Sequence, residues 1–276
     1  MSKLNVAVIG ASGFVGDACC HIFREQNLYK IDPRLGTSIT DILDTPIDLV
    51  MICVPTPMGE NGKINSSIVE HVLDTLKYKK DCLLVLKSTV LPEIVQKYES
   101  IPNFVYNPEF LTERNAKNDA ENPTHTVIGG SKENCARMKM YYENHSTCAS
   151  APFFFMTPTE AAFVKYGINS FLMLKVLFFN QYADQCAKLG ADYEAVKYAI
   201  GEDPRITTAH MNVPGHDGRK GSAGACFAKD IPAMIHMSNN ELSILREAWN
   251  ANCDYRNSYE SQLPREIEQH IQFNKI

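Results

Sequence analysis

Leu4-Asn-Val-Ala-Val-Ile9, followed by Gly10-Ala-Ser-Gly13-Phe-Val-Gly16, is the stretch that decides the fold. Its first part is short and apolar almost throughout, as expected of a strand covered on both faces. Its second part is a glycine turn, and the residues from there to Phe23-Arg24 read as a helix. Strand, glycine turn and helix in that order are the context in which spaced glycines indicate dinucleotide binding. The glycines Gly10, Gly13 and Gly16 permit a tight turn, and the helix N-terminus beside Phe14 and Val15 can hold a pyrophosphate. Tyr29-Lys-Ile-Asp32 reads as the next strand, ending in an acid placed to bond the ribose hydroxyls of NAD. Arg34 leaves NADP open, although an acid at the strand end disfavours a 2′-phosphate. The spacing is Gly-x-x-Gly-x-x-Gly, which also occurs in short-chain dehydrogenases and sugar-nucleotide epimerases.

Working outward, Ile47-Asp-Leu-Val-Met-Ile-Cys-Val54 is a third strand that delivers Pro55-Thr56-Pro57 to the carboxyl edge of a sheet. Ser66 to Leu76 reads as a helix, and Cys82 to Leu86 as a buried strand ending in Lys87-Ser88-Thr89. Glu93 to Tyr98 is helical, and Phe104-Val-Tyr106 runs into Asn107-Pro-Glu109-Phe110-Leu111-Thr-Glu113. Thr126-Val-Ile-Gly129-Gly130 reads as the last strand. Strands alternating with helices predict an α/β fold, a doubly wound Rossmann-type parallel sheet over residues 1–155. Ser88, Thr89 and Asn107 stand at strand ends, where a cofactor crevice forms, although each is also an ordinary turn former.

From Pro158 the texture changes. Thr159 to Asn180 is a long helical pattern with Thr159 as the expected N-cap, apolar nearly all round and so expected to be buried. Lys165 and Asn169 stand out inside it, one turn apart. They are either functional polar groups or a lysine reaching solvent beside a locally capping amide. Further on, Gly221-Ser-Ala-Gly224-Ala-Cys226-Phe-Ala-Lys-Asp230 runs small residues into a cysteine with an acid four positions later. A helix opening near Ala225 would put its first amides beside the thiol and favour thiolate. It would also set Cys226 and Asp230 on one face. A buried structural cysteine is the bland alternative. Residues 156–258 form a mostly helical domain, and the polar tail 259–276 is expected to fray.

Net charge is −5, from 27 Lys and Arg against 32 Asp and Glu, with no long basic block. This argues against nucleic acid or an anionic membrane as the main partner. No apolar run is expected to span a bilayer, which needs ~20 residues. Nine cysteines without metal-site spacing suggest no metal and reduced thiols, hence a cytoplasmic protein.

Taken together, the motifs resemble those of the UDP-glucose/GDP-mannose dehydrogenase family. The resemblance rests on Gly13-Phe-Val-Gly16, Val54-Pro-Thr-Pro57, Lys87-Ser-Thr-Val90 and Asn107-Pro-Glu-Phe-Leu-Thr-Glu113. It continues through Val127-Ile-Gly-Gly130, Glu160…Lys165…Asn169-Ser-Phe-Leu172, Asp203-Pro-Arg205-Ile and Gly224-Ala-Cys-Phe-Ala-Lys-Asp230. It implies NAD-dependent oxidation of a nucleotide sugar, UDP-glucose foremost, at C6 to the carboxylate, with two hydride transfers. By the same resemblance Cys226 is the nucleophile, forming a thiohemiacetal and then a thioester. Lys165 stabilises the oxyanion with Asn169 beside it, Asp230 partners a water or Lys165, Glu109 assists hydrolysis, and Thr89 lines the pocket. Pro55, Thr56, Ser88, Thr89 and Glu113 are implied at the cofactor. Phe110, Leu111, Gly221 and Gly224 join Glu109, Lys165 and Asn169 at the substrate, and the helical domain is implied to form a homodimer.

Departures from the family pattern are one extra residue in the glycine turn, Gly221-Ser-Ala-Gly224 in place of Gly-Phe-Gly-Gly, Ala228 in place of a proline, and compression between Asp32 and Ile47. The family's C-terminal nucleotide-binding domain is also expected to be absent. They leave open a non-catalytic or partner-dependent NAD-binding remnant. A short-chain dehydrogenase or epimerase using Tyr193 and Lys197 is a second alternative.

Overall fold

The computed structural model describes residues 2–112, 115–224 and 226–276. They divide into two compact units, Met1–Thr56 with Asn65–Lys165, and Pro57–Ile64 with Tyr166–Ile276. The division falls inside one long helix, rather than ahead of it.

The first unit is built on a seven-stranded sheet. Its elements in chain order are β1 (Asn5–Ile9), α1 (Phe14–Ile22), β2 (Asn27–Ile31), β3 (Leu49–Ile52), α2 (Ser67–Leu76), β4 (Leu83–Leu86) and α3 (Pro92–Gln96). β5 (Phe104–Tyr106), α4 (Ala116–Glu121), β6 (Thr126–Gly130), α5 (Lys132–His145) and β7 (Phe153–Met156) follow. The strand order is β2-β1-β3-β4-β5-β6-β7, with every neighbouring pair parallel except β5 and β6. Residues of β1, β3 and β4 are buried on both sides of the sheet, as their unbroken apolar runs require. One face packs Val6, Val8, Leu49, Met51, Leu83 and Val85 against Cys19 from α1, its C-cap Phe23, and Met138 from α5.

β6 is not the last strand. Phe153-Phe-Phe-Met156 adds a half-exposed edge strand, β7, parallel to β6. It lacks the alternation that marks a half-buried strand. The compression after Asp32 has a structural counterpart, because β2 reaches β3 through two 3₁₀ turns, Pro33–Leu35 and Ile39–Ile42, with no α-helix. The chain leaves β1 toward β2 and returns past β1 to β3. That reversal is the switch point at which open α/β sheets bind ligands.

Gly10 and Gly16 close this point tightly. Gly10 has φ +81°, and a β-carbon on it would meet the Cys53 carbonyl oxygen at 2.5 Å. One on Gly16 would meet the Gly10 oxygen at 2.0 Å, so α1 can pack on the turn only with glycine there.

The long helix α6 (Pro158–Lys188) begins in the first unit and ends in the second. Its cap is Thr157 rather than Thr159. Thr157 and Glu160 exchange a capping box, in which the Thr157 amide donates to Glu160 at 2.7 Å and the Glu160 amide to Thr157 Oγ1 at 3.3 Å. Proline at the first helical position explains the shift. Two further expectations change. By length and composition α6 is apolar enough to cross a bilayer, a measure that core helices of soluble proteins also meet. It is not buried all round, since Phe171 is 66% and Phe178 57% exposed and Tyr182 also faces outward.

The second unit also holds α7 (Tyr193–Gly201), α8 (Phe227–Met237), α9 (Ser243–Arg256) and α10 (Pro264–Glu268). Its core joins Met173 and Leu177 of α6, Ile231 and Ile235 of α8, and Leu245, Trp249 and Cys253 of α9. Ile271 and Phe273 belong to the same core, so the tail is docked rather than frayed. Its backbone is tied down as well, with Trp249 Nε1 donating to the Asn274 carbonyl at 2.8 Å. Arg256, buried, donates to Glu266 at 2.8 Å and to Asp217 at 2.7 Å. Polar composition was a poor guide here because these acids are spent on a buried arginine.

Candidate active site

In the first unit the loop after β5 carries Glu109 to a position where Lys165 of α6 meets it. Lys165 is 3% exposed and Glu109 7%. The Lys165 ammonium donates to the Glu109 carbonyl oxygen at 2.6 Å and to Oε1 at 3.1 Å, while Oε2 accepts from the Leu111 amide at 2.6 Å. The ammonium also lies 5.4 Å from the centre of the Phe110 ring. Of the two readings of Lys165, the solvent-reaching one is therefore excluded. Burial pushes the Glu109 carboxyl up, but the Lys165 charge and the Leu111 amide outweigh it and hold the group below its ordinary value. Glu109 is thus ionised at neutral pH in a place where an isolated carboxylate would not be.

Beside this pair, buried Lys87 donates to Asn107 Oδ1 at 3.0 Å, and the Tyr142 hydroxyl donates to the same oxygen at 2.6 Å. Asn107 in turn donates to the Val127 carbonyl at 2.6 Å. Lys87, Asn107, Glu109, Phe110 and Leu111 line a cavity of about 230 Å³ with residues of α1. Sequence reasoning gave Lys87 no role, set Asn107 only at a strand end beside the cofactor crevice, and gave Tyr142 no role. The signal for the first two was a lysine and an asparagine standing directly after buried strands.

The residues expected at the cofactor lie at the ends of β1, β2, β3 and β4. Asp32 accepts from the Ser12 amide at 2.9 Å and the Arg34 amide at 2.9 Å, which ties the glycine turn to the end of β2. Each oxygen keeps a further lone pair for a ribose hydroxyl. Helix α1 begins after Gly13 with no side-chain cap on its first amides. Thr56 donates to the Thr89 carbonyl at 3.0 Å and Ser88 to the Val54 carbonyl at 2.7 Å, so the ends of β3 and β4 are stitched together. Pro55 is exposed beside them, and Phe14 and Val15 open α1. Glu113 lies outside the described residues.

In the second unit Cys226 is the N-cap of α8, and its carbonyl accepts from the Asp230 amide at 2.9 Å. Cys226 and Asp230 are therefore one helical turn apart along the backbone. Asp230 is fully buried and accepts from Asn169 Nδ2 at 2.8 Å and Lys229 Nζ at 2.5 Å. Lys229, which the sequence reading passed over, is the cation paired with it. Gly221 and Gly224 both have positive φ, at +85° and +84°. Tyr193 donates to the Met211 carbonyl at 2.7 Å, and burial pushes its phenol up to about 12. Lys197 is held by Glu194 at 2.5 Å. A short-chain dehydrogenase needs a readily ionised tyrosine, so this pair does not suit that chemistry. Among the described residues no cluster of His, Cys, Asp and Glu could hold a metal ion.

A glycine turn at the switch point of a doubly wound sheet, followed by a helical unit, is the architecture of a dinucleotide-binding protein. Residues 35–146 match the model of the NAD-binding domain of the UDP-glucose/GDP-mannose dehydrogenase family, and residues 159–254 match that family's central domain. The chain belongs to this family. It is 37% identical over 204 residues to a UDP-glucose 6-dehydrogenase of Rickettsia bellii, which covers 70% of this chain and 45% of that protein. With a UDP-glucose 6-dehydrogenase of Pseudomonas aeruginosa the identity is 30% over 241 residues, or 80% and 48% of the two chains. The chain thus spans less than half the length of these relatives. Among solved structures it is similar to a UDP-glucose dehydrogenase of Pyrobaculum islandicum, with TM-score 0.75 and 26% identity over 91% of this chain and 68% of that one. The glycine turn, with its extra residue, precedes the matched segment.

The buried pair sets an acid-range expectation. Glu109's contribution to stability is present above its ordinary carboxyl range and is lost as pH falls through its lowered folded value. In Lys165→Met burial is opposed only by the Leu111 amide and the Lys87 charge, so the carboxyl titrates higher than in wild type. That variant should be less stable than wild type by about 3–5 kcal/mol at neutral pH, the gap narrowing between about pH 7 and pH 4. Urea midpoints across that range check it.

Proposed function

We propose that this chain carries the NAD-binding and catalytic machinery of a nucleotide-sugar dehydrogenase, oxidising the C6 alcohol of UDP-glucose to the carboxylate. The observation that carries the reading is the buried Lys165–Glu109 pair beside Phe110. A buried ion pair is weak for stability and well suited to managing charge on a reacting group.

Gly10, Gly13, Phe14, Val15 and Gly16 would hold the cofactor's pyrophosphate and Asp32 its ribose. Pro55, Thr56, Ser88, Thr89 and Glu113 would line its remaining length. NAD⁺, when bound, supplies the hydride acceptor for each of two oxidations. Lys165 holds the alkoxide of the alcohol and later the oxyanion, with Asn169 beside it. The thiolate of Cys226, at the positive end of α8, adds to the aldehyde carbon and forms a C–S bond, giving a thiohemiacetal. Loss of hydride from that carbon leaves a thioester. Glu109 takes a proton from the attacking water, the C–S bond breaks, and the sulfur leaves as thiolate. Asp230, held by Lys229 and Asn169, keeps the charge of the cysteine turn in balance. A nucleophilic thiol needs a reducing compartment, which is the reason for proposing the cytoplasm.

The exposed stripe of Phe171, Phe178 and Tyr182 on α6 is proposed to pack against a second copy of the chain rather than a membrane. Sedimentation should show a dimer, and Phe171→Glu should sediment as a monomer.

The functional test is a panel of sugar nucleotides incubated with the protein and NAD⁺. UDP-glucose should give two NADH per sugar, and Cys226→Ser should lower turnover by about 10³-fold or more. One NADH with released aldehyde would exclude the thioester. NAD binding without NADH would favour a non-catalytic, nucleotide-binding role.

A further inference from the structure

The loop that leads to Cys226 is gripped by two asparagines from two helices. Asn180, buried on α6, accepts from the Gly221 amide at 3.0 Å, while its own NH₂ donates to the Val176 carbonyl at 2.8 Å. Asn252, buried on α9, accepts from the Ser222 amide at 2.7 Å and donates to the Ser222 carbonyl at 3.1 Å. Consecutive peptide units of the loop are therefore fixed from two sides.

Gly221 shows how close the approach is. A β-carbon on it would lie 2.9 Å from Asn252 Oδ1 and 2.9 Å from Tyr255 Cβ, so the backbone is drawn against α9 as far as glycine allows. Asparagine is a poor helix former, and burying its amide is unfavourable unless the polar atoms are met. Here both amides are met, chiefly by loop backbone. The Ser222 hydroxyl, by contrast, is buried and has no hydrogen-bond partner among the described residues. The arrangement satisfies the backbone and leaves the side chain unmet.

Cys226 follows Ser222 by four residues, a reach of at most about 14 Å. On its other side it is anchored by the Asp230 amide on its carbonyl. Only three residues separate the held Ser222 peptide unit from Cys226.

We propose that Asn180 and Asn252 are positioning residues for Cys226. They set the point from which the Gly221–Gly224 turn departs, and so the place of the sulfur relative to the carbon it captures. The proposal rests on the reading of Cys226 as the nucleophile. A misplacement near 1 Å costs about 10²-fold in rate.

The test uses the full-length protein. Hydrogen exchange in wild type should find the Gly221 and Ser222 amides protected at least about tenfold over an unstructured peptide. Asn180→Leu should speed exchange at Gly221 and lower kcat per folded enzyme by about 10- to 100-fold, with the dissociation constant for NAD⁺ little changed. Asn180→Asp, which keeps the acceptor for the Gly221 amide, should recover most of both. Asn252→Ala should speed exchange at Ser222. A merely structural role would lower the folded fraction and leave kcat per folded enzyme at the wild-type value. Unprotected Gly221 and Ser222 amides in wild type, or an Asn180→Leu enzyme with wild-type kcat, would overturn the proposal. If Cys226→Ser keeps full turnover, the nucleophile reading fails instead, and the exchange results stand apart from it.

Discussion

An ammonium and a carboxylate taken out of water together, Lys165 and Glu109, are the constraint on which the first unit's site depends. Neither charge is stable there alone. The pair survives because Lys165 meets two oxygens of Glu109 while the Leu111 amide satisfies the other carboxylate oxygen. The fold must therefore hold the loop after β5 and the start of α6 in one register. It does so with a sheet buried on both faces and with the Thr157–Glu160 cap fixing where α6 begins. The resulting carboxylate is ionised, enclosed and next to a fixed cation.

The second unit answers the same problem with a different device. Asp230 is wholly enclosed, yet both oxygens are used, one by Lys229 and one by Asn169. This anchors the first turn of α8 and with it the backbone of Cys226. Upstream, the asparagine grip fixes Gly221 and Ser222. The tail supports the same region, because Arg256 bonds both Glu266 of α10 and Asp217 of the preceding loop. A segment that looks dispensable by composition is thus part of what holds the cysteine turn.

How much of this was legible depended on whether the signal was local. β1, the glycine turn and α1 are written in consecutive residues, and so are β3 and β4, whose apolar runs admit little else. The helical spacing from Cys226 to Asp230 was equally readable. β7 was not, because three phenylalanines in a row carry no alternation to separate an edge strand from a buried segment. The exposed face of α6 was missed because its apolar residues run almost all round, and sequence periodicity cannot tell a core face from an uncovered one. The tail was misjudged since Glu266 and Arg256 are polar by type and buried only by pairing. Asn180 and Asn252 were overlooked for a related reason. Their partners are backbone amides some thirty to forty residues away, and nothing near either asparagine in the chain points to them.

The central proposal is that a sugar carbon is carried on Cys226 while Glu109 manages its release. It is tested most directly by acid-quenching the Glu109→Gln protein after mixing with UDP-glucose and NAD⁺, then weighing the Cys226 peptide. The account expects that peptide to carry the oxidised sugar nucleotide as a thioester, since a glutamine cannot take the proton from the attacking water. A Cys226 peptide of unmodified mass, in a protein that still forms NADH, would contradict it.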